Sequence, residues 1–169
     1  GSDDAYLPEK TERSVAALRS ADHDVAAVYC DGFLIDERSC RRGIFSNKYR
    51  VPLGRDTHRE LLIANWLPAM GILYRFDVLV ALGGFDPELK FEDWDLLLRL
   101  TKKHKINRLA DKLFLYRIHA TNITHNTAIM QETKASMMKK HTDLAAFNAL
   151  KADLKQKPLR ALLRHWRNY

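Results

Sequence analysis

Hydrophobic and polar positions along this chain fall into blocks whose period changes several times. From Pro8 to about Ser20, Val15, Ala16 and Leu18 share a helical spacing behind a proline suited to a first helical turn. Val25 to Asp31 is a short apolar run bounded by polar residues and predicts a buried strand, with Gly32 to Asp36 as a second. Between Glu37 and Asp56 the periodicity fades into a polar, basic stretch with Gly43, Pro52 and Gly54, which predicts a surface loop. A short helix follows from His58 to Ile63, then an apolar strand from Ala69 to Tyr74. A second short helix, Asp77 to Leu82, is stopped by Gly83. Trp94, Leu97, Leu98 and Thr101 take the i, i+3, i+4, i+7 spacing of a helix with one core face, ending near His104. Ile106 to Leu109 and Lys112 to His119 read as strands, and a period of two puts Arg117 and His119 on one face of the latter. Thr127 to Leu150 predicts a long helix in which Met130, Met137 and Leu144 pack.

Strands and helices in this alternation make an α/β chain, and 169 residues suit one core. No apolar run of about 18 residues predicts a membrane span, and no signal sequence is visible. Cys30 and Cys40 have neither metal-type nor CxxC spacing and read as free thiols of a reducing, cytoplasmic compartment. The net charge of +7 suits an anionic partner without choosing one. Nucleic acid is not expected, because neither a basic recognition helix nor an aromatic platform accompanies the charge. Near the C-terminus, Leu159, Leu162, Leu163 and Trp166 share a face against Arg160, Arg164 and Arg167. Such a segment could lie on an anionic membrane surface, or dock on another part of the protein or a partner.

The chemistry concentrates between Leu82 and Arg99. Gly83-Gly84 permits positive φ or a close approach, and Phe85-Asp86-Pro87 is a turn. Glu92, Asp93 and Asp95 then crowd three carboxylates into four residues where a helix begins. Acids there complement the macrodipole, so each one alone is an ordinary helix start. Trp94 could line an acceptor sugar, but its helix position favours a core anchor. Asp3-Asp4 ahead of Pro8 reads by itself as capping.

Taken together, Gly83-Gly84-Phe85-Asp86 followed by Glu92-Asp93-Trp94-Asp95-Leu96-Leu97-Leu98-Arg99 resembles the family 2 glycosyltransferases of the GT-A fold. Further motifs extend the likeness over residues 2 to 125: Ser2-Asp3-Asp4 before Pro8, Leu61-Leu62-Ile63-Ala64-Asn65 before Arg75, and Tyr116-Arg117-Ile118-His119 before Asn122. The resemblance implies the C-terminal, acceptor-side part of a GT-A fold: residues 1–126 with a mixed sheet and flanking helices, then a helical extension over 127–169. It implies that the nucleotide-binding half of the fold is missing and that the chain is a fragment of a larger enzyme.

The activity implied is inverting transfer of a sugar from a nucleotide-diphosphate sugar, a UDP-sugar first among them. The acceptor would be a saccharide or glycolipid in cell-surface polysaccharide synthesis, at the inner face of the membrane. The other expectation is a non-catalytic acceptor-binding or assembly module. The family motifs put the catalytic base at Asp93 with Glu92 beside it. They put substrate contacts at Asp4, Trp94, Arg117, Gly83 and Gly84, and Mn²⁺ or Mg²⁺ ligands at Asp3 and His119. Gly1 stands where the first acid of the metal motif belongs. An imidazole ligand tilts the metal toward manganese. Glu92 and Asp95 should raise the pKa of Asp93 by repulsion, while the helix N-terminus should lower it. Arg117 could pair with phosphate or, equally, with a carboxylate.

Overall fold

A computed structural model describes residues 3–49, 57–62, 64–122, 126–142 and 148. Its elements in order are β1 (Ala5–Tyr6), α1 (Lys10–Ser20), β2 (Val25–Ile35), β3 (Arg41–Ile44), α2 (Phe45–Tyr49), α3 (Thr57–Leu61), a 3-10 turn (Ala69–Gly71), β4 (Ile72–Tyr74), α4 (Phe76–Ala81), α5 (Glu92–Thr101), β5 (Lys105–Arg117) and α6 (Thr127–His141). The protein is α/β, with a mixed sheet flanked by helices. β2 is its axis. It runs parallel to β5, while its other edge pairs antiparallel with β4 near one end and β3 near the other. β1 adds antiparallel to the outer edge of β5.

Burial on both faces explains why β2 reads as a continuous apolar run. On one face Val28, Cys30 and Leu34 pack with Leu18 of α1, Phe45 of α2 and Phe114 of β5. On the other, Ala27 and Tyr29 pack with Leu61 of α3, Trp94, Leu97 and Leu98 of α5, and Met137 of α6. α6 therefore contributes to the same core as the sheet. Cys30 is buried and Cys40 exposed, both as free thiols. Among the described residues no helix is long and apolar enough to cross a membrane.

Several boundaries differ from the sequence expectation. The two strands expected on either side of Asp31-Gly32 are one. Asp31 is buried and bonded, accepting from Gly32 N at 2.8 Å and from the Ser46 amide at 3.1 Å, so the Asp-Gly pair does not turn the chain. A Cβ on Gly32 would lie 2.3 Å from the Phe114 ring, so glycine here makes room for a neighbouring strand. Ile106 to His119 likewise forms one strand to Arg117, with a bulge where Tyr29 faces Arg108 but Asp31 faces Lys112. The expected loop from Glu37 holds β3 and α2 instead. Asp36 organises the turn, accepting from the Arg38 and Cys40 amides at 2.9 Å each and from Arg42 Nε at 2.7 Å. Arg41 stacks over the Phe33 ring at 4.1 Å. Only the end of the expected strand from Ala69 is strand. The rest of the basic stretch, 50–56, and the amphipathic segment 158–169 lie outside the described residues, as does Leu144.

Candidate active site

Two groups of side chains gather the residues that the sequence singles out. The first lies where the start of the chain meets the end of β5. Asp3 and His119, 116 residues apart in sequence, meet at 2.9 Å between Oδ2 and Nε2. A carboxylate only accepts, so Nε2–H donates, and Nδ1 accepts from the Thr121 hydroxyl at 2.8 Å. The Asp3 carboxyl lies below its ordinary range. A backbone N–H bond lowers it most, burial opposes, and the His119 contact lowers it further. Asn122 shapes the loop, accepting from the His119 amide at 2.7 Å and donating to the Arg117 carbonyl at 3.2 Å.

Asp4 accepts from the Arg117 main-chain N–H at 2.9 Å. The Arg117 guanidinium donates to the carbonyls of Asp3 at 3.0 Å and Asp36 at 2.7 Å, and to the Ser39 hydroxyl at 3.2 Å. Phosphate and carboxylate were the two partners expected of it. The structure gives it main-chain carbonyls, through which it clamps the turn after β2 to the start of the chain. Beside this group opens a cleft of about 450 Å³, lined by Asp4, Ala5, Tyr6, Ala69 and Met70.

Asp3 and His119 bring a carboxylate and an imidazole to one point. Among the described residues no third histidine, cysteine or acid completes a metal cluster there. Mg²⁺ is commonly held by one or two carboxylates with water and substrate phosphate filling the shell. The pair therefore fits a site shared with a diphosphate and not a closed protein cage. Thr121 adds to the fit. Its hydroxyl can accept from Nδ1–H, the tautomer that leaves Nε2 free for a metal. Gly1, in the place of the first acid, lies outside the described residues.

The second group surrounds the start of α5. Gly83 and Gly84 take φ of 79° and 69°, and a Cβ on either would meet nothing within 4 Å. Both glycines thus answer to backbone conformation and leave that side open. Glu92 is exposed. Asp93 is half-buried, with Oδ1 accepting from the Trp94 amide at 2.8 Å and Oδ2 from Asn65 Nδ2 at 3.0 Å. Its pKa is raised, first by burial and also by Glu92, against the lowering effect of those two hydrogen bonds. Burial is the cause that the sequence did not carry. Asp95, expected to repel Asp93, is fully buried and has its charge taken up by Arg99, Lys140 and His141. Trp94 does not line the site. It is buried in the core, and its indole N–H donates to the Leu61 carbonyl at 2.8 Å. Among the described residues, the hydrogen bonds of the first group do not reach the second.

The chain is similar to a glycosyltransferase. It is 29% identical over 137 residues to an uncharacterized glycosyltransferase of Rickettsia prowazekii (strain Madrid E). The match takes in 76% of this chain and 41% of that protein, so the chain spans less than half of its relative's length. No family profile matches. This likeness supports glycosyl transfer in general terms.

Asn65, Lys140 and His141 acquire roles that the sequence reading did not give them. Asn65 stood in a motif without a function attached. Lys140 and His141 fell inside the helix expected from Thr127 to Leu150 with no role attached, and the structure places them in the last turn of α6, which ends at His141. The i, i+4 spacing of Asp95 and Arg99 was the visible trace of the network they join.

Proposed function

We propose that this chain is the acceptor-side part of an inverting, family 2-like glycosyltransferase of the GT-A fold. In this reaction the acceptor hydroxyl attacks the anomeric carbon of a nucleotide-diphosphate sugar. Asp93 takes the hydroxyl proton, and the bond from that carbon to the diphosphate oxygen breaks. Burial suits Asp93 to the task, because a base with a raised pKa holds the proton better than an ordinary carboxylate. A bound Mn²⁺ or Mg²⁺ would supply positive charge to the leaving diphosphate, with Asp3 and His119 as its protein ligands. Asp4 would line the donor cleft, and the open side of Gly83-Gly84 would face substrate. The observation that carries the proposal is the meeting of Asp3 with His119, two residues of separate motifs, at 2.9 Å.

A UDP-sugar is the first donor to test, with a saccharide or glycolipid as acceptor, in polysaccharide synthesis at the inner membrane face. The test is a calorimetric titration of UDP into this chain with and without Mn²⁺, repeated with Asp3→Ala and His119→Ala. Binding that requires the metal and weakens at least about tenfold in both variants supports the site. Metal-independent binding, or binding unchanged in the variants, removes the metal role. Silence in this chain and in one extended to its relative's full length would leave the non-catalytic module as the better account.

A further inference from the structure

Asp95 lies two positions beyond Asp93 on α5 and is fully buried, yet it is ionised. Burial alone would raise its pKa, but hydrogen bonds from Lys140, His141 and Arg99 outweigh it and leave the group below the ordinary range. Its Oδ2 accepts from Arg99 Nε at 2.8 Å, and its Oδ1 from Lys140 Nζ at 2.8 Å and His141 Nε2 at 2.7 Å. Two of these partners come from the last turn of α6, so one carboxylate ties two helices together.

The network continues from there into the glycine turn by two routes. Arg99 donates from its remaining nitrogens to the carbonyls of Leu82 and Gly84, the latter at 2.7 Å. Lys140 reaches Asp86 Oδ2 at 2.7 Å, while Asp86 Oδ1 accepts from the Glu88 amide at 3.0 Å. Both glycines have positive φ, and their amides donate to the Val80 and Leu79 carbonyls at 2.9 and 3.0 Å, which closes the end of α4; the Arg99 and Lys140 contacts add the tie from this turn to α5 and α6. The turn and the first residues of α5 together carry Gly83, Gly84, Glu92 and Asp93.

We propose that Lys140 and His141 are positioning residues: through Asp95 and Asp86 they make α6 a strap that fixes the glycine turn and the first turn of α5. This rests on the proposed function only in naming Asp93 as the group positioned; the strap itself is tested without any substrate. The charges balance as built, with Asp95 and Asp86 facing Arg99 and Lys140 while Lys102 acts on His141 from just past the end of α5. His141 is therefore neutral, Nε2–H donating to Asp95 and Nδ1 buried with no partner among the described residues. A proton added there would bring a third positive charge to Asp95 and a donor with nothing to receive it.

Hydrogen exchange read by mass spectrometry on the full chain tests the strap. The variants are His141→Ala, Lys140→Met and His141→Gln, which keeps an N–H donor at similar reach. Peptides covering 82–96 should exchange about tenfold faster in His141→Ala and Lys140→Met, the effect of losing a hydrogen bond to a charged group. Peptides covering 25–35 in β2 should be unchanged, and His141→Gln should restore most of the protection. Wild-type protection over 82–96, corrected for the intrinsic exchange rate at each pH, should also fall as pH drops below 6.5, and this loss of protection should disappear in His141→Gln. Unchanged protection over 82–96 would overturn the proposal. So would equal loosening of β2, or failure of the glutamine to rescue. If the variants loosen as expected but no transferase activity is found in the wild type, the strap stands and the assignment of Asp93 falls.

Discussion

Asp93→Asn is expected to remove sugar transfer while leaving the protein as stable as the wild type, or more so. The hydrogen bonds show why. An asparagine oxygen can still accept from the Trp94 amide as Asp93 Oδ1 does at 2.8 Å. Its NH₂ would then face Asn65, whose Oδ1 is buried with no partner among the described residues and can turn to accept. That hydrogen bond replaces the one that Asn65 Nδ2 donates to Asp93 Oδ2 at 3.0 Å, so the exchange is about even. Losing the charge at the helix start costs about 0.3–1 kcal/mol. Relief from burying a charge, the cause of the raised pKa, outweighs that cost and leaves the variant more stable by about 0 to 1 kcal/mol. For a chain of this size that raises Tm by up to roughly 4 °C.

The sign with pH follows from the raised pKa. A folded pKa above the unfolded value means that the folded wild type holds its proton more tightly, so stability is present at low pH and lost as pH rises through the folded pKa. The advantage of Asp93→Asn should therefore be greatest near pH 7.5 and shrink toward pH 4. Calorimetric melting across that range measures it, and a donor-dependent transfer assay on a chain extended to full length should show a loss of about 10²–10⁴-fold. If Asp93 were an ordinary helix-start acid, the variant would be less stable than the wild type at pH 7.5. That result, or a difference independent of pH, would refute the reasoning.

Gly84→Ala should cost about 1–2 kcal/mol in denaturant unfolding, all of it from the positive φ, because its Cβ would meet nothing. Gly84→Asn should cost less. Gly32→Ala should cost about 1–3 kcal/mol through overpacking against Phe114, and Phe114→Leu in the same chain should recover part of it, as a double-mutant cycle would show. His141, lowered from 6.5 chiefly by burial, binds its proton better in the unfolded chain. Stability should fall as pH drops below 6.5, and His141→Gln should show a shallower fall in denaturation midpoints measured at pH 7.5, 6.5 and 5.5.

Local signals in the sequence determined the α/β class, the helices α1, α4 and α5, and the buried character of β2. Each of these depends on neighbours within a turn or two, which spacing records directly. The glycine turn was legible for the same reason, since positive φ at Gly83 and Gly84 is a demand of the backbone itself. Asp3 and His119 were paired in advance only by their likeness to known motifs. Spacing could not join residues 116 positions apart in the chain; the register of β1 on β5 does that. Tertiary structure alone decided that Asp31-Gly32 runs straight through a strand, because Ser46 satisfies the aspartate and Phe114 needs the space beside the glycine. It also decided that Trp94 belongs to the core, and that Arg117 spends its charge on carbonyls. The fate of Asp95 shows the reason most plainly. The charged residues just before it in sequence, Glu92 and Asp93, are acids, but the groups that set its charge are Arg99 one helical turn on and Lys140 and His141 from α6, and only packing brings that helix to it.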